Sequence, residues 1–359
     1  MKTFFTKIAV LGLVVLVVSM LLRFMVPSFW CGPVIANKER TYFNQINDYN
    51  VVFLGTSRIN HGISPKFFDK AVNTNKATKF KSRSFNFGIS GGSAGEIKYV
   101  FDEILKAKPE KLRYLFIELY SIERALGDKF CVENLHTNRN KYWVNKSTYG
   151  FSLRNMWGYM GTEITTQKRW KYSFNYTVNY IENILNIGMY DSFARYYFGN
   201  DSANDGLGNQ KDGYNNINKL DYSGVRRARK GFLSSKHKVH EQKREQSIKY
   251  FDGVPQMTAY NAAYLTQLND MIAQAAQQGT HVIVLAPPLL SVAAHAELSP
   301  IFRALPPKNK INLVNANKVP QFYELENIWD GNHLNHKGAV LFSKELAKEF
   351  LDLRKTLKR

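Results

Sequence analysis

Three residues whose types could act together lie near the two ends of the sequence. Near the start, the apolar run Val51–Leu54 stops at Gly55 and continues as Thr56-Ser57-Arg58. Small hydroxyl residues there suit an ordinary strand-to-helix turn, or a serine held at a sheet edge because it reacts. A reactive serine needs a base, and the base needs a group that orients it. Among the histidines, His333 stands out. Asp330 precedes it by three positions in "WDGNHLNHKGAVLFSKEL", just before the last helical pattern. An aspartate so placed accepts the imidazole Nδ1–H, fixes the tautomer and leaves Nε2 free as a base. Alone the pair is weak, because surface turns are rich in both residue types. His61 and His336 read as helix or turn residues.

The elements around these residues give the pair its context. Short apolar runs alternate with helical patterns, as in a parallel α/β sheet. Expected strands are "VVFLG", "SFNFG", "LRYLFIELY", "HVIVLAPP" and "INLVNAN". A helix is expected from Pro65, with Ser64 as its cap. Another follows the glycine-rich turn after Gly88, a third covers Met257 to Gln278, and the last runs from about Lys337. Ligands of such sheets bind beyond the carboxyl ends of the strands, so the Ser57 and His333 loops should open on one edge. Gly88 sits where a backbone N–H can approach a ligand closely.

Together "FLGTSR", "FNFGISGGS" and "DGNHLNHKGA" resemble the three sequence blocks of the SGNH (GDSL-like) hydrolase superfamily. The likeness covers about residues 45–127 and 256–355. It is nearest to membrane-anchored, extracytoplasmic members that work with membrane-bound O-acyltransferases, such as alginate O-acetylation proteins and the teichoic-acid D-alanylation protein. The resemblance implies a three-layer α/β/α sandwich on a flavodoxin-like, five-stranded parallel sheet. It implies Ser57 as nucleophile, His333 as base and Asp330 as its orienter, with the N–H groups of Ser57 and Gly88 as oxyanion donors. Arg58 and Asn86 would be candidate substrate contacts. No cofactor or metal is implied. The family's third block supplies an asparagine donor, whereas this chain reads "FIELYSIE" with Glu118 in that region. A carboxylate would repel an oxyanion, so that donor is absent or differently built. The expected activity is transfer or hydrolysis of an O-linked acyl group, acetyl foremost, on an envelope glycan or exopolysaccharide. The alternative is a non-catalytic accessory subunit of a membrane-bound O-acyltransferase system.

Composition bounds the rest. The 359 residues are 44% hydrophobic and 22% charged, ordinary for a globular chain, but the net charge of +20 is not. The N-terminus holds Lys2 and Lys7, then an uncharged stretch from Ile8 to Leu22, then Arg23. That suits a span of about 20 residues if Arg23 snorkels, read as a signal-anchor over residues 1–30, with a cleaved signal peptide as the alternative. The domain, 31–359, would then lie extracytoplasmic (periplasmic) on a single-pass cytoplasmic-membrane protein, which removes nucleic acid from consideration. Cys31 and Cys131 permit one disulfide and fit no zinc spacing. Residues 128–255 interrupt the domain as an aromatic, basic insertion, read as a cap with a mobile polar loop. Between Gly224 and Lys249 nine basic residues face two acids. This stretch reads as a solvated charged helix, or as a contact for anionic lipid or glycan.

Overall fold

The computed structural model describes residues 2–25, 33–120, 142–159, 165–187, 206–221, 223–249, 256–289 and 292–357. Cys31 and Cys131 lie outside them. In chain order the main elements begin with α1 (Lys2–Met25), α2 (Pro33–Asn44), β1 (Val51–Gly55), α3 (Ser57–Gly62), α4 (Pro65–Thr74), β2 (Ser84–Gly88), α5 (Ala94–Ala107) and β3 (Tyr114–Glu118). The insertion contributes α6 (Lys146–Arg154), α7 (Thr166–Leu185) and α8 (Ser223–Lys249). Then follow α9 (Ala259–Ala276), β4 (His281–Ala286), α10 (Val292–Ala304), β5 (Lys310–Asn312) and α11 (His336–Leu357).

The five strands form one all-parallel sheet in the order β2-β1-β3-β4-β5, the flavodoxin-like order. Because the sheet is covered on both faces, its strands read as continuous apolar runs. Alternate side chains nonetheless go to opposite layers. Val52, Leu54, Phe85, Phe87, Leu115, Ile117 and Val282 pack with α2, α5 and α9 residues such as Tyr42, Val100, Phe101 and Ala275. Val51, Phe53, Phe116, Ile283 and Leu285 pack with Phe68, Val72, Phe342, Leu346 and Phe350 of α4 and α11. Val284 and Ala286 meet α9 and α10 through Leu268, Leu298 and Ile301. Phe53, Phe68, Phe116 and Phe350 form a connected ring cluster at centroid separations of 4.9 to 6.0 Å. Burying each such side chain contributes roughly 1.5–3 kcal/mol. This three-layer core fixes the strand ends that carry the site.

α1 contains a 21-residue apolar stretch, Lys2–Leu22, long and apolar enough to cross a membrane. The next described segment is helix α2, with Lys38, Glu39 and Tyr42 fully buried. Polar residues on its inner face hide its amphipathic period. The insertion is described in part, with 188–205 lying outside the described residues. Its segment 206–221 runs along the edge strand, where Asn86 N–H donates to the Asp212 carbonyl (2.9 Å) and Asn215 N–H to the Asn60 carbonyl (3.1 Å). Leu207, Tyr214 and Ile217 of that segment are buried. Its polar residues supply edge and turn hydrogen bonds, which is why a polar run could be ordered.

Candidate active site

Ser57 is the first residue of α3 and follows the last residue of β1 by one cap position. Thr56 is that N-cap, and its side chain accepts from Arg58 N–H. A first-turn N–H has no intrahelical acceptor, so the Ser57 amide at the mouth of the turn is available to a ligand. Behind the turn lies Glu118, the last residue of β3 and fully buried. Its Oε2 accepts the Thr56 N–H at 2.5 Å, while its Oε1 accepts from Thr56 Oγ1 at 3.2 Å and Arg58 Nε at 2.7 Å. Gly55 permits this approach, since a Cβ there would lie 2.5 Å from Glu118 Oε2. Glu118 is therefore an acceptor that binds the Thr56–Arg58 turn from below. Arg58 is its ion-pair partner, 15% exposed.

Asp330 and His333 come from the other end of the chain. Trp329 N–H donates to the His333 carbonyl (2.8 Å), closing a tight loop braced by the Ile328–Leu334 bridge. Within it Asp330 Oδ1 accepts the N–H groups of Asn332 (2.8 Å) and His333 (3.0 Å). The same carboxylate meets His333 Nδ1 at 2.9 and 3.0 Å. Burial pushes the Asp330 carboxyl upward, but the His333 contact and the two backbone donors outweigh it and hold the group below the usual aspartate range. His333 Nε2 then lies 2.8 Å from Ser57 Oγ, across 276 positions of sequence. With Nδ1–H committed to Asp330, Nε2 is the lone-pair nitrogen and Ser57 Oγ–H its donor. Gly338 lets α11 start tight against this loop, because a Cβ there would meet the Asn327 carbonyl at 2.2 Å.

The basic helix α8 packs directly against the loop. Arg229 donates to the Ile328 carbonyl at 3.0 Å and to that of Trp329, and stacks 5.1 Å over the Trp329 ring. Lys243, 9% exposed, donates to the Gly331 carbonyl and to Asn332 Oδ1 at 2.9 Å. Burial and the nearby Arg58 draw the Lys243 ammonium down to about 8, with Asp330 opposing them. These two cations thus hold the loop that carries Asp330 and His333. Arg226, Arg227, Lys230, Arg244 and Lys249 point to solvent.

The second block is built differently from its expected role. Gly88 N–H donates to Asn86 Oδ1 (2.8 Å), and its Cβ position would lie 2.2 Å from Asn60 N. Gly88 therefore faces the interior of the β2–α3 contact, and its amide is engaged as an internal donor. Asn86 is likewise fully buried, giving its amide hydrogens to the Ile59 and Ile63 carbonyls at 2.7 and 2.6 Å. It fixes α3 against β2, with both ends of its side-chain amide engaged internally. The turn after β2 is Ser90-Gly91, with Gly91 exposed at φ +64°. That left-handed conformation is one that glycine adopts without strain.

A polar chain, also missed in sequence, backs this turn. Lys38 Nζ donates to Asn60 Oδ1 (2.6 Å), the Gly88 carbonyl (2.8 Å) and the Asn86 carbonyl (3.2 Å). Burial lowers the Lys38 ammonium to about 7 against the pull of Asp212. Asn60 Nδ2 donates to Ser90 Oγ (2.8 Å), and Ser90 Oγ lies 3.1 Å from His61 Nε2. His61 Nδ1–H donates to the Asn215 carbonyl at 2.6 Å, so its Nε2 accepts. Burial first, then His333, pushes His61 down to about 3, which keeps it neutral 5.8 Å from the His333 ring. His336 instead pairs with Tyr214 Oη at 3.0 Å. The opening beside the dyad is a recess of about 10 Å³ lined by Arg58, His61, Pro288, Asn332 and His333, room for one water.

Among the described residues no group of three or more histidines, cysteines, aspartates or glutamates could hold a metal ion. No family model, curated protein or solved structure matches this chain.

Proposed function

We propose that this chain is a membrane-anchored, serine-dependent O-acyltransferase or esterase, with acetyl as the group moved and an envelope glycan or exopolysaccharide as the acceptor. The observation that carries the reading is the Ser57–His333–Asp330 chain of hydrogen bonds at 2.8 and 2.9 Å. Ser57 Oγ attacks the acyl carbonyl carbon as His333 Nε2 takes its proton. Asp330 stabilises the imidazolium that forms. Collapse expels the donor oxygen, which His333 reprotonates, and leaves the acyl group as an ester on Ser57. A sugar hydroxyl, or water, then gives its proton to His333 and attacks the ester carbon, and Ser57 leaves with that proton. The Ser57 N–H is the backbone donor for the oxyanion, a kind of contact worth about 3 kcal/mol. The anchor α1 would place the domain on the extracytoplasmic face of the cytoplasmic membrane, where such polymers are modified.

Glu118 in place of a third donor, and the engaged Gly88 amide, favour a second reading, a non-catalytic accessory subunit beside a membrane-bound O-acyltransferase. Full-length protein given p-nitrophenyl acetate separates the two. The enzyme reading expects an acetyl adduct on Ser57 by peptide mapping, with turnover accelerated by an acetylatable polysaccharide if transfer is the reaction. No adduct, with no ester turnover, would leave the accessory role.

A further inference from the structure

Helix α7 has a surface that water does not suit. Beyond Lys171, every residue of this helix that is exposed is apolar: Phe174 at 68%, Ile181 at 47% and Ile184 at 42%, with Ile187 exposed just past its end. At about 3.6 residues per turn, these and Trp170 (65% exposed) fall on a single stripe. Tyr176 and Asn179, on the opposite side, are buried against the domain. Scattered exposed hydrophobics are normal, but several large ones on one side of a helix, here interrupted only by the half-buried Thr177, mark a contact surface.

The occupant follows from what the helix touches. Its C-cap residue Asn186, 3% exposed, donates from Nδ2 to the backbone carbonyl of Ser19 at 2.6 Å, and Ser19 is 1% exposed. Ser19 belongs to α1 and lies three residues inside Leu22, the end of its apolar stretch. That is about 4.5 Å of helix, so the end of α7 sits at the boundary of the layer α1 would cross. At the other end Trp157 and Trp170 meet edge to face at 5.0 Å, both exposed, and Trp157 Nε1–H donates to Ser173 Oγ. Lys168 and Lys171 are exposed beside them. Tryptophan with lysine at one end and phenylalanine and isoleucine along one stripe is the composition of a helix lying in a membrane interface.

We infer that α7 is an interfacial helix whose Trp170–Phe174–Ile181–Ile184 face lies in the same lipid layer that α1 crosses. The domain is then seated on the bilayer at two points, and the height and tilt of the Ser57 site above the lipid are fixed by both. A second copy of this chain is the competing occupant. It would need a surface complementary to this stripe, whereas continuity with α1 already supplies lipid there.

The test uses the full chain, with Cys31 and Cys131 changed to serine, in vesicles of phosphatidylethanolamine and phosphatidylglycerol. Nitroxides are placed through Phe174→Cys and Ile181→Cys, with Val15→Cys as the lipid reference and Lys344→Cys as the water reference. Both target positions should match Val15, relaxing severalfold more with oxygen than with a nickel chelate. Nickel access equal to that at Lys344 would overturn the assignment. Exclusion of both reagents would overturn it as well, in favour of a protein partner. A chain with its cysteines intact supplies a second readout. Brominated lipids should quench its tryptophan fluorescence, and Trp170→Phe should remove part of that quenching; no quenching contradicts the proposal. Neither readout depends on catalysis.

Discussion

Replacing Glu118 by glutamine tests the claim that this carboxylate builds the nucleophile turn from beneath. Three donors converge on it: Thr56 N–H at 2.5 Å, Thr56 Oγ1 at 3.2 Å and Arg58 Nε at 2.7 Å. A glutamine keeps one carbonyl oxygen and presents an NH₂ on the other side. Whichever way it turns, that NH₂ faces a donor, and the Arg58 charge loses its partner. Hydrogen bonds to a charged group contribute roughly 1.5–3 kcal/mol, and breaking a fully buried pair costs about 3–5 kcal/mol. Arg58 keeps some contact with solvent, so the lower part of that range applies, about 3 kcal/mol of stability. Arg58→Met leaves Glu118 its Thr56 donors and should cost less. The double variant should lose less than the two singles together, with a coupling of about 1–2 kcal/mol. Because Thr56 caps the helix that begins at Ser57, the loosened turn should also slow fluorophosphonate labelling of Ser57 by about 10- to 100-fold. Unfolding of the full chain in detergent and labelling rates give both numbers. A Glu118→Gln protein within about 0.5 kcal/mol of wild type that labels at the wild-type rate would refute the reasoning.

Lys38→Met removes the donor shared by Asn60 Oδ1 and the Gly88 and Asn86 carbonyls, and should destabilise the domain by about 3 kcal/mol. The Lys38 ammonium lies near 7 when folded and near 10.4 when unfolded. The unfolded chain thus binds more protons between those values, and wild-type stability should rise with pH across that window more steeply than that of the variant, which keeps only the smaller contribution of Lys243. Lys243→Met frees the Gly331 carbonyl and Asn332, so kcat should fall about tenfold with little change in KM. A KM effect alone would place Lys243 at the substrate. Asp330→Asn should lower kcat by about 10⁴, as the tautomer is lost. Asp330 is depressed in the folded state, so its contribution to stability is full above the ordinary aspartate value and is lost as pH falls through its lower folded value. Acid unfolding should show that dependence in wild type and not in Asp330→Asn.

The sheet was legible because a parallel sheet covered on both faces writes its strands as unbroken apolar runs, as in "VVFLG" and "HVIVLA". Ser57 stood out as a hydroxyl just past a strand end, and Asp330 and His333 as an aspartate–histidine pair three apart just before the last helix. The six-residue α3 was not, being too short for a period to show. Helix α2 was hidden because Lys38 and Glu39 occupy its buried face. Glu118 reads as an obstacle to an oxyanion until its three donors are seen around it. The basic stretch of α8 gives no hint that Arg229 and Lys243 turn inward, because their acceptors are carbonyls about 90–100 positions away, and a sequence shows no carbonyls.

The most direct test of the central claim is the site and rate of fluorophosphonate modification in the full-length protein, read by peptide mass. An adduct on Ser57 in wild type, none in Ser57→Ala and a rate reduced by about 10³ or more in His333→Ala are the outcomes this account predicts. Equal labelling of all three proteins, or an unmodified Ser57 in wild type, would contradict it.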